Sequence, residues 1–271
     1  MSEKQAEKEA RYLYCVTDSS AEISLGEIGL GGNLVYTIPA AKLSAVVHDC
    51  PPEPYDSDDS EEVKGWVRSH QNVLDRVMEE TRFSGVIPAS FDTILQPGED
   101  RTATENVRYW LKSEAETLEE QLEKVENKEE YGVRVAYDPD WLQDKIQADS
   151  EEFKSLKKKI DESSEGAAYL YREKLKKLRE DRIEEVKERY ISEFYDMIAP
   201  TVPEIKREEK RDSPGKNRML LNLSCLVPRG EYEELGEVLE RIDKREGFDV
   251  KFTGPWAPFS FTEVNGPESE A

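Results

Sequence analysis

Apolar positions follow two rhythms along this chain. Residues 11–17 (RYLYCVT), 33–38 and 43–48 are short runs rich in aromatic and β-branched side chains, which predicts three strands. Pro39-Ala40-Ala41-Lys42 reads as the turn between the last two. Gly26, Gly29, Gly31 and Gly32 mark a flexible turn before the second. Past an acidic, proline-bearing loop over residues 49–60 the period changes. Val63, Trp66, Val67, His70, Leu74, Val77 and Met78 then share one helical face. Ser60 suits the N-cap of this helix, and Glu61 and Glu62 suit the positive end of its dipole. Residues 85–88 predict a short buried strand. Residues 103–125 predict one amphipathic helix, capped by Thr104, with Val107, Leu111, Ala115, Leu118, Leu122 and Val125 inward.

The second half repeats the alternation on a larger scale. Residues 131–137 alternate as a strand. Helical patterning then runs from about 140 to 199 with a break near 161–166, which predicts a long helical hairpin. Its second limb carries Ala167, Tyr171, Leu175, Leu178, Ile183, Val186, Tyr190, Phe194 and Met197 at helical spacing. Residues 200–215 read as a mobile polar loop and residues 219–227 as a buried strand. Residues 231–245 form a helix ending at Gly247, and residues 248–253 a last strand. The fold class is α+β: two small sheet-and-helix domains of ferredoxin-like type. They span residues 1–127 and 128–261, the hairpin lies in the second, and 262–271 form a flexible acidic tail. Residues 1–10 read as a frayed or short helical lead-in.

Charge alters this picture more than length does. The 271 residues hold 38 Lys or Arg and 60 Asp or Glu, a formal net charge of −22. Charged residues make up 36%, against roughly 25% in an ordinary domain. Four Trp, 12 Tyr and 8 Phe argue against an acidic disordered chain. So acidic a surface disfavours nucleic-acid binding, which needs clustered Lys and Arg. No apolar run is long enough to span a membrane, and the polar N-terminus lacks the apolar core of a secretory signal. Cys15, Cys50 and Cys225 are widely spaced and odd in number, which reads as reduced thiols in a cytoplasmic setting. The acid excess fits either a basic partner or a very saline cytoplasm. Its spread along the whole chain favours salt, where screening acts within a few ångströms.

Catalytic chemistry finds little support. His70 shares an apolar helix face and reads as a packed core residue. His48 and Cys50 flank Asp49 but lack further nearby nitrogen or sulfur ligands, so neither metal nor cofactor is expected. The glycines at 26–32 fit no phosphate-loop pattern, and Ser90 near Asp92 has no placed histidine to complete a triad. The acidic run at 56–59 does not fit a calcium loop. Residues 254–261 (GPWAPFSF) are the most unusual: two prolines and three aromatics within eight residues exclude a helix or a central strand. Such a stiff apolar stretch either caps a core edge or docks a partner, which makes Trp256, Phe259 and Phe261 the candidate partner-binding residues.

Several stretches together resemble the gas vesicle accessory proteins F and L. They are Tyr12-Leu13-Tyr14, Leu43 to Val47, the helix from Trp66 to Met78, and Val86 to Thr93. Tyr131 to Val135 and the ending Phe252 to Phe261 complete the set, which spans residues 11–261. The ending is the most specific element. The family usually has glycine where this chain has Asp92. High charge and the acidic loop point to a haloarchaeal member of the L type. The resemblance implies two α+β domains, the first a ferredoxin-like variant. It also implies a cytoplasmic, non-enzymatic, vesicle-associated protein needed to assemble the gas-filled shell. Its partners would be the hydrophobic gas vesicle shell protein and other gas vesicle accessory proteins, the latter met through the hairpin at 140–199. A generic halophilic interaction module and a carboxylate-using hydrolase are the alternatives. If salt explains the charge, circular dichroism will show loss of structure when molar salt is removed. A fold retained in dilute buffer favours the basic-partner explanation.

Overall fold

The computed structural model describes residues 9–264, apart from 99, 149 and 211–214. The chain forms two compact units: residues up to 130 together with those from 255 onward, and residues 131–254 between them. Both boundaries fall inside strands. The sequence places the join near 127 and carries the second domain to 261. The structure instead groups Pro255 onward with the first unit, because Ala257 is buried in that unit's core.

The first sheet contains β1 (Ala10–Thr17), β2 (Ser24–Gly26), β3 (Val35–Ala40), β4 (Leu43–Cys50), β5 (Val86–Pro88) and β6 (Ile94–Leu95). Its order is β2-β3-β4-β1-β5, with β6 also pairing with β1. Helix α1 (Ser60–Glu79) covers one face through Val73, Leu74 and Val77. Helices α2 (Ala103–Ser113) and α3 (Ala115–Val125) cover the other through Val107, Leu111, Leu118 and Leu122. Burial on both faces explains why β1 and β4 read as nearly continuous apolar runs. Antiparallel pairing of β1 with β4 shifts register between Leu13 and Cys15. Tyr14 is the extra residue of this bulge, so Tyr14 and Cys15 both enter the α1-side core. Leu13 and Val16 enter the opposite core.

Several local expectations shift by a residue or two. Asp59, not Ser60, caps α1, accepting from the Glu61 amide at 2.9 Å. Thr102, not Thr104, caps α2, in a capping box with Glu105, whose carboxylate accepts the Thr102 N–H at 2.9 Å. Thr104 instead accepts from Arg11 at 3.1 Å. The single helix expected over 103–125 is two helices meeting at Glu114. The Ser113 hydroxyl bonds back to the Trp110 carbonyl at 2.9 Å and competes with the regular ladder there. The β3–β4 turn narrows to Ala41-Lys42, with Ala41 at φ 56°.

The second unit contains β7 (Lys128–Tyr137), α4 (Pro139–Ala148), α5 (Glu151–Glu162), α6 (Glu165–Ile198), β8 (Glu204–Arg207), β9 (Arg218–Pro228), α7 (Glu233–Asp243) and β10 (Phe248–Trp256). The sheet order is β10-β7-β9-β8. Its core joins Val133 and Val135 of β7 to Leu235, Val238 and Ile242 of α7, and to Tyr190, Phe194 and Ile198 of α6. The hairpin is present, with α5 packed on α6 and Phe153, Leu156 and Leu175 in one core cluster. Its first limb is divided, α4 ending at Ala148. The loop expected over 200–215 contains β8, paired antiparallel with β9 from Glu204↔Leu226 to Arg207↔Leu223; residues 211–214 lie outside the described residues. Gly247 has φ +84°, and a Cβ there would collide with the Trp141 ring. Thr262 is buried and Val264 packs on the first unit's core, so residues 262–264 are not part of a flexible tail; residues 1–8 and 265–271 lie outside the described residues.

Cys15, Cys50 and Cys225 are buried free thiols. His70 is buried as well. Its Nε2 lies 3.2 Å from the Ala89 carbonyl and its Nδ1 2.9 Å from the Tyr12 hydroxyl. A carbonyl only accepts, so Nε2 carries the proton and Tyr12 donates to Nδ1, while the Tyr12 oxygen accepts from the Asp92 N–H at 3.0 Å. His48 stacks on Tyr12 and meets the Tyr55 hydroxyl at 2.9 Å. Burial pushes both imidazoles down from 6.5 to about 4. Each stays neutral in the fold but protonates in the unfolded chain below its ordinary value. Their contribution is therefore complete above pH 6.5 and is lost as pH falls toward 4. Between pH 6.5 and 5, stability should fall by about 1 kcal/mol per pH unit for each histidine. Denaturant melts at fixed salt will check this, and His70→Gln should roughly halve the slope.

Candidate functional site

The unusual ending begins in β10, an edge strand of its sheet, where Gly254 and Pro255 are tolerated because one side carries no ladder. Part of the free edge is covered, since the Val250 N–H donates to the Asp243 carboxylate at 2.9 Å. After Trp256 the chain folds into tight turns. The Phe259 N–H donates to the Ala257 carbonyl at 2.8 Å, and the Phe261 N–H to the Pro258 carbonyl at 3.1 Å. The Thr262 hydroxyl donates to the same Pro258 oxygen at 3.0 Å.

Three side chains from elsewhere hold these turns. Glu130, nearly buried, accepts from the Ser260 N–H at 2.8 Å and from its hydroxyl at 2.7 Å. Bonds to a shielded carboxylate are among the stronger kinds, about 1.5–3 kcal/mol each. Lys124 donates to the Phe261 carbonyl at 3.3 Å and sits over the Phe261 ring. Gln121 exchanges two bonds with the Glu263 backbone, at 2.6 and 3.1 Å. None of the three was singled out from the sequence. Glu130 is one carboxylate among 60, and no local pattern marks it.

The three candidate rings separate. Trp256 and Phe259 are each 41% exposed, whereas Phe261 is 4% exposed. Phe261 is therefore withdrawn as a docking side chain; it anchors the turns. The ending thus combines both readings offered by the sequence. Ala257 and Phe261 cap a core, and Trp256 and Phe259 stand out on a braced backbone.

Other clusters are already satisfied or lack convergent chemistry. Tyr12, Tyr14, His48 and His70 form a buried aromatic network edged by half-buried Tyr55, as expected for a packed His70; within it the His48 Nδ1 has no hydrogen-bond partner among the described residues. Burial raises the Tyr12 and Tyr14 phenols, which keeps them neutral hydrogen-bonding groups. Asp92, at φ 66°, holds a left-handed position that glycine favours, and its carboxylate accepts from the Tyr55 N–H at 3.0 Å. A shallow hollow of about 230 Å³ is lined by Asp18, Lys42, Ser84, Glu119, Glu123 and Glu126. There the Asp18 carboxylate is occupied by the Ser84 and Gly85 backbones at 3.0 and 3.2 Å. Among the described residues no group of three or more His, Cys, Asp or Glu is placed to hold a metal ion, and no helix is long and apolar enough to cross a membrane.

The family profile described as gas vesicle synthesis protein GvpL/GvpF matches residues 10–263. The chain belongs to this family. It is 28% identical to gas vesicle protein L1 of Halobacterium salinarum over 96% of this chain and 92% of that one. Identity to gas vesicle protein L of Haloferax mediterranei is 29%, over 89% and 74% of the two chains. Against gas vesicle protein F of Haloferax mediterranei it is 24%, over 94% and 93%. The chain is thus more similar to these L proteins than to that F protein. The fold matches the crystal structure of GvpF from Anabaena with a TM-score of 0.75 at 19% identity, covering 95% of this chain and 99% of that one.

The braced ending should respond unequally to substitution. Phe261→Ala should cost about 3 kcal/mol, as for a buried aromatic, and Glu130→Gln about 2 kcal/mol. Trp256→Ala and Phe259→Ala should each stay within about 1 kcal/mol of the parent. Equilibrium denaturation of the four variants in one high-salt buffer checks the ordering.

Proposed function

We propose that this chain is an accessory or minor structural protein required for gas vesicle assembly, and that it binds the hydrophobic shell protein and other accessory proteins. The observation that carries the reading is the family match across nearly the whole chain. It works in the cytoplasm at gas vesicles, and it works by binding rather than by turnover. A strongly apolar shell subunit needs a soluble partner before it assembles, because exposed apolar surface and open strand edges aggregate. A surface carrying −22 supplies solubility. Trp256 and Phe259 supply apolar contact on a backbone that Glu130, Lys124 and Gln121 already hold, so little ordering entropy remains to be lost on binding.

Deletion of the gene in a vesicle-forming host should abolish vesicles in electron micrographs, and a plasmid copy should restore them. Normal vesicles without the gene would overturn an essential assembly role. At the molecular level, Trp256→Ala combined with Phe259→Ala should weaken capture of the purified shell protein about tenfold while the melting temperature holds. Undiminished capture by this folded variant moves the contact elsewhere, and loss of fold together with capture leaves these rings a packing role alone.

A further inference from the structure

The tip of the helical hairpin carries a charge of the opposite sign to the chain as a whole. Between residues 154 and 179 the sequence holds nine Lys or Arg and four Asp or Glu, a local excess of +5 in a chain of −22. Lys159 on α5 and Arg172, Lys174, Lys176 and Lys177 on α6 are all exposed. None of these five has a carboxylate within ion-pair distance among the described residues, although neighbouring Lys154 pairs with Glu151 at 2.7 Å and Lys158 with Glu162 at 3.8 Å.

Apolar side chains lead the same surface. Tyr169 and Leu170 are 60% and 67% exposed, more than any other large hydrophobic residue described. Helical spacing sets Tyr169, Arg172 and Lys176 in one row and Leu170, Lys174 and Lys177 in the next. Ala168 and Leu175 face the opposite way and are buried, Leu175 in one core cluster with Phe153 and Leu156 of α5. The outer face of α6 over its first turns thus carries two such rows, one on either side of exposed Glu173, each with an apolar residue followed by two cations.

We propose that this face docks a carboxylate-rich protein segment carrying apolar side chains, with Tyr169 and Leu170 as anchors and the unpaired cations as its charge partners. Charge complementarity selects the occupant. An acidic segment pairs these cations, and the anchors reward one that also has apolar side chains, which a bare polyanion lacks. Molar salt shortens screening to about 3 Å. The acidic remainder of the chain then repels such a segment little, while contact ion pairs and apolar burial persist. The site does not depend on the vesicle role, and its test uses the purified chain alone.

The probe is a fluorescent random copolymer of glutamate and tyrosine, titrated with the full chain in molar KCl and followed by anisotropy. Polyglutamate and a single-stranded DNA oligonucleotide serve as comparisons. The copolymer should bind more tightly than polyglutamate. Arg172→Glu with Lys176→Glu, and separately Tyr169→Ser with Leu170→Ser, should each weaken binding about tenfold or more at an unchanged melting temperature. Equal binding by the parent and both folded variants overturns the site and leaves a solvated helix face. Tighter binding of the oligonucleotide overturns the proposed occupant in favour of phosphate. Self-association in sedimentation that both variants abolish, with copolymer binding unmoved, overturns it in favour of a second copy of this chain.

Discussion

The bulge at Tyr14 lets one strand serve two cores. A regular β1 would send Cys15 to the face of Leu13. The extra residue resets the alternation, so Tyr12, Tyr14 and Cys15 all pack toward α1, while Leu13 and Val16 pack toward α2 and α3. Pairing with β4, β5 and β6 then satisfies the backbone of β1 on both sides. Phenols in that crowded layer need partners, and they find them in His70, Leu30 and Asp92. The polar atoms are specified along with the apolar ones, which fixes α1 and the turn at Asp92 to the same strand.

The ending depends on the same first unit. Ala257 is buried beside the α1-side core, and Glu130 and Lys124 fix the turns that follow. An aromatic on a free peptide loses backbone freedom when it binds, about 1–2 kcal/mol per residue ordered. Trp256 and Phe259 stand on backbone whose freedom is already lost on folding. The burial of Phe261 is therefore part of what holds the backbone beneath its exposed neighbours.

Periodic elements were legible because their signal is repeated. Both amphipathic faces of the first unit, the strands β1, β3, β4, β7 and β9, and the long α6 follow from spacing alone. Cap positions were not: Asp59 and Ser60, or Thr102 and Thr104, are equally good chemically, and the choice rests on where the backbone turns. The break at Glu114 was hidden because the apolar stripe continues through it. Strand β8 was missed because its four residues, Glu204 to Arg207, alternate too weakly beside a proline-bearing loop and gain their order from β9. Phe261 and Phe259 sit in one aperiodic segment with the same chemistry, and only the turn at Pro258 decides which ring is covered.

Helix stability does not account for the cations of α6. Arg172 with Lys176 and Lys174 with Lys177 are like charges at i,i+4 and i,i+3, which cost a helix a few tenths of a kcal/mol per pair at low salt. Glu173 stands three and four residues before Lys176 and Lys177, and the structure leaves both lysines unpaired. Packing in this half of the helix comes from Leu175, in one core cluster with Phe153 and Leu156, and Ala168 is buried on that same side. An acidic chain gains solubility from its carboxylates, so a solitary basic row adds nothing to that either. What the rows do provide is contrast: on a surface with a large acid excess, a patch of unpaired cations with two apolar side chains at its head is distinguishable even when salt confines electrostatics to contact range.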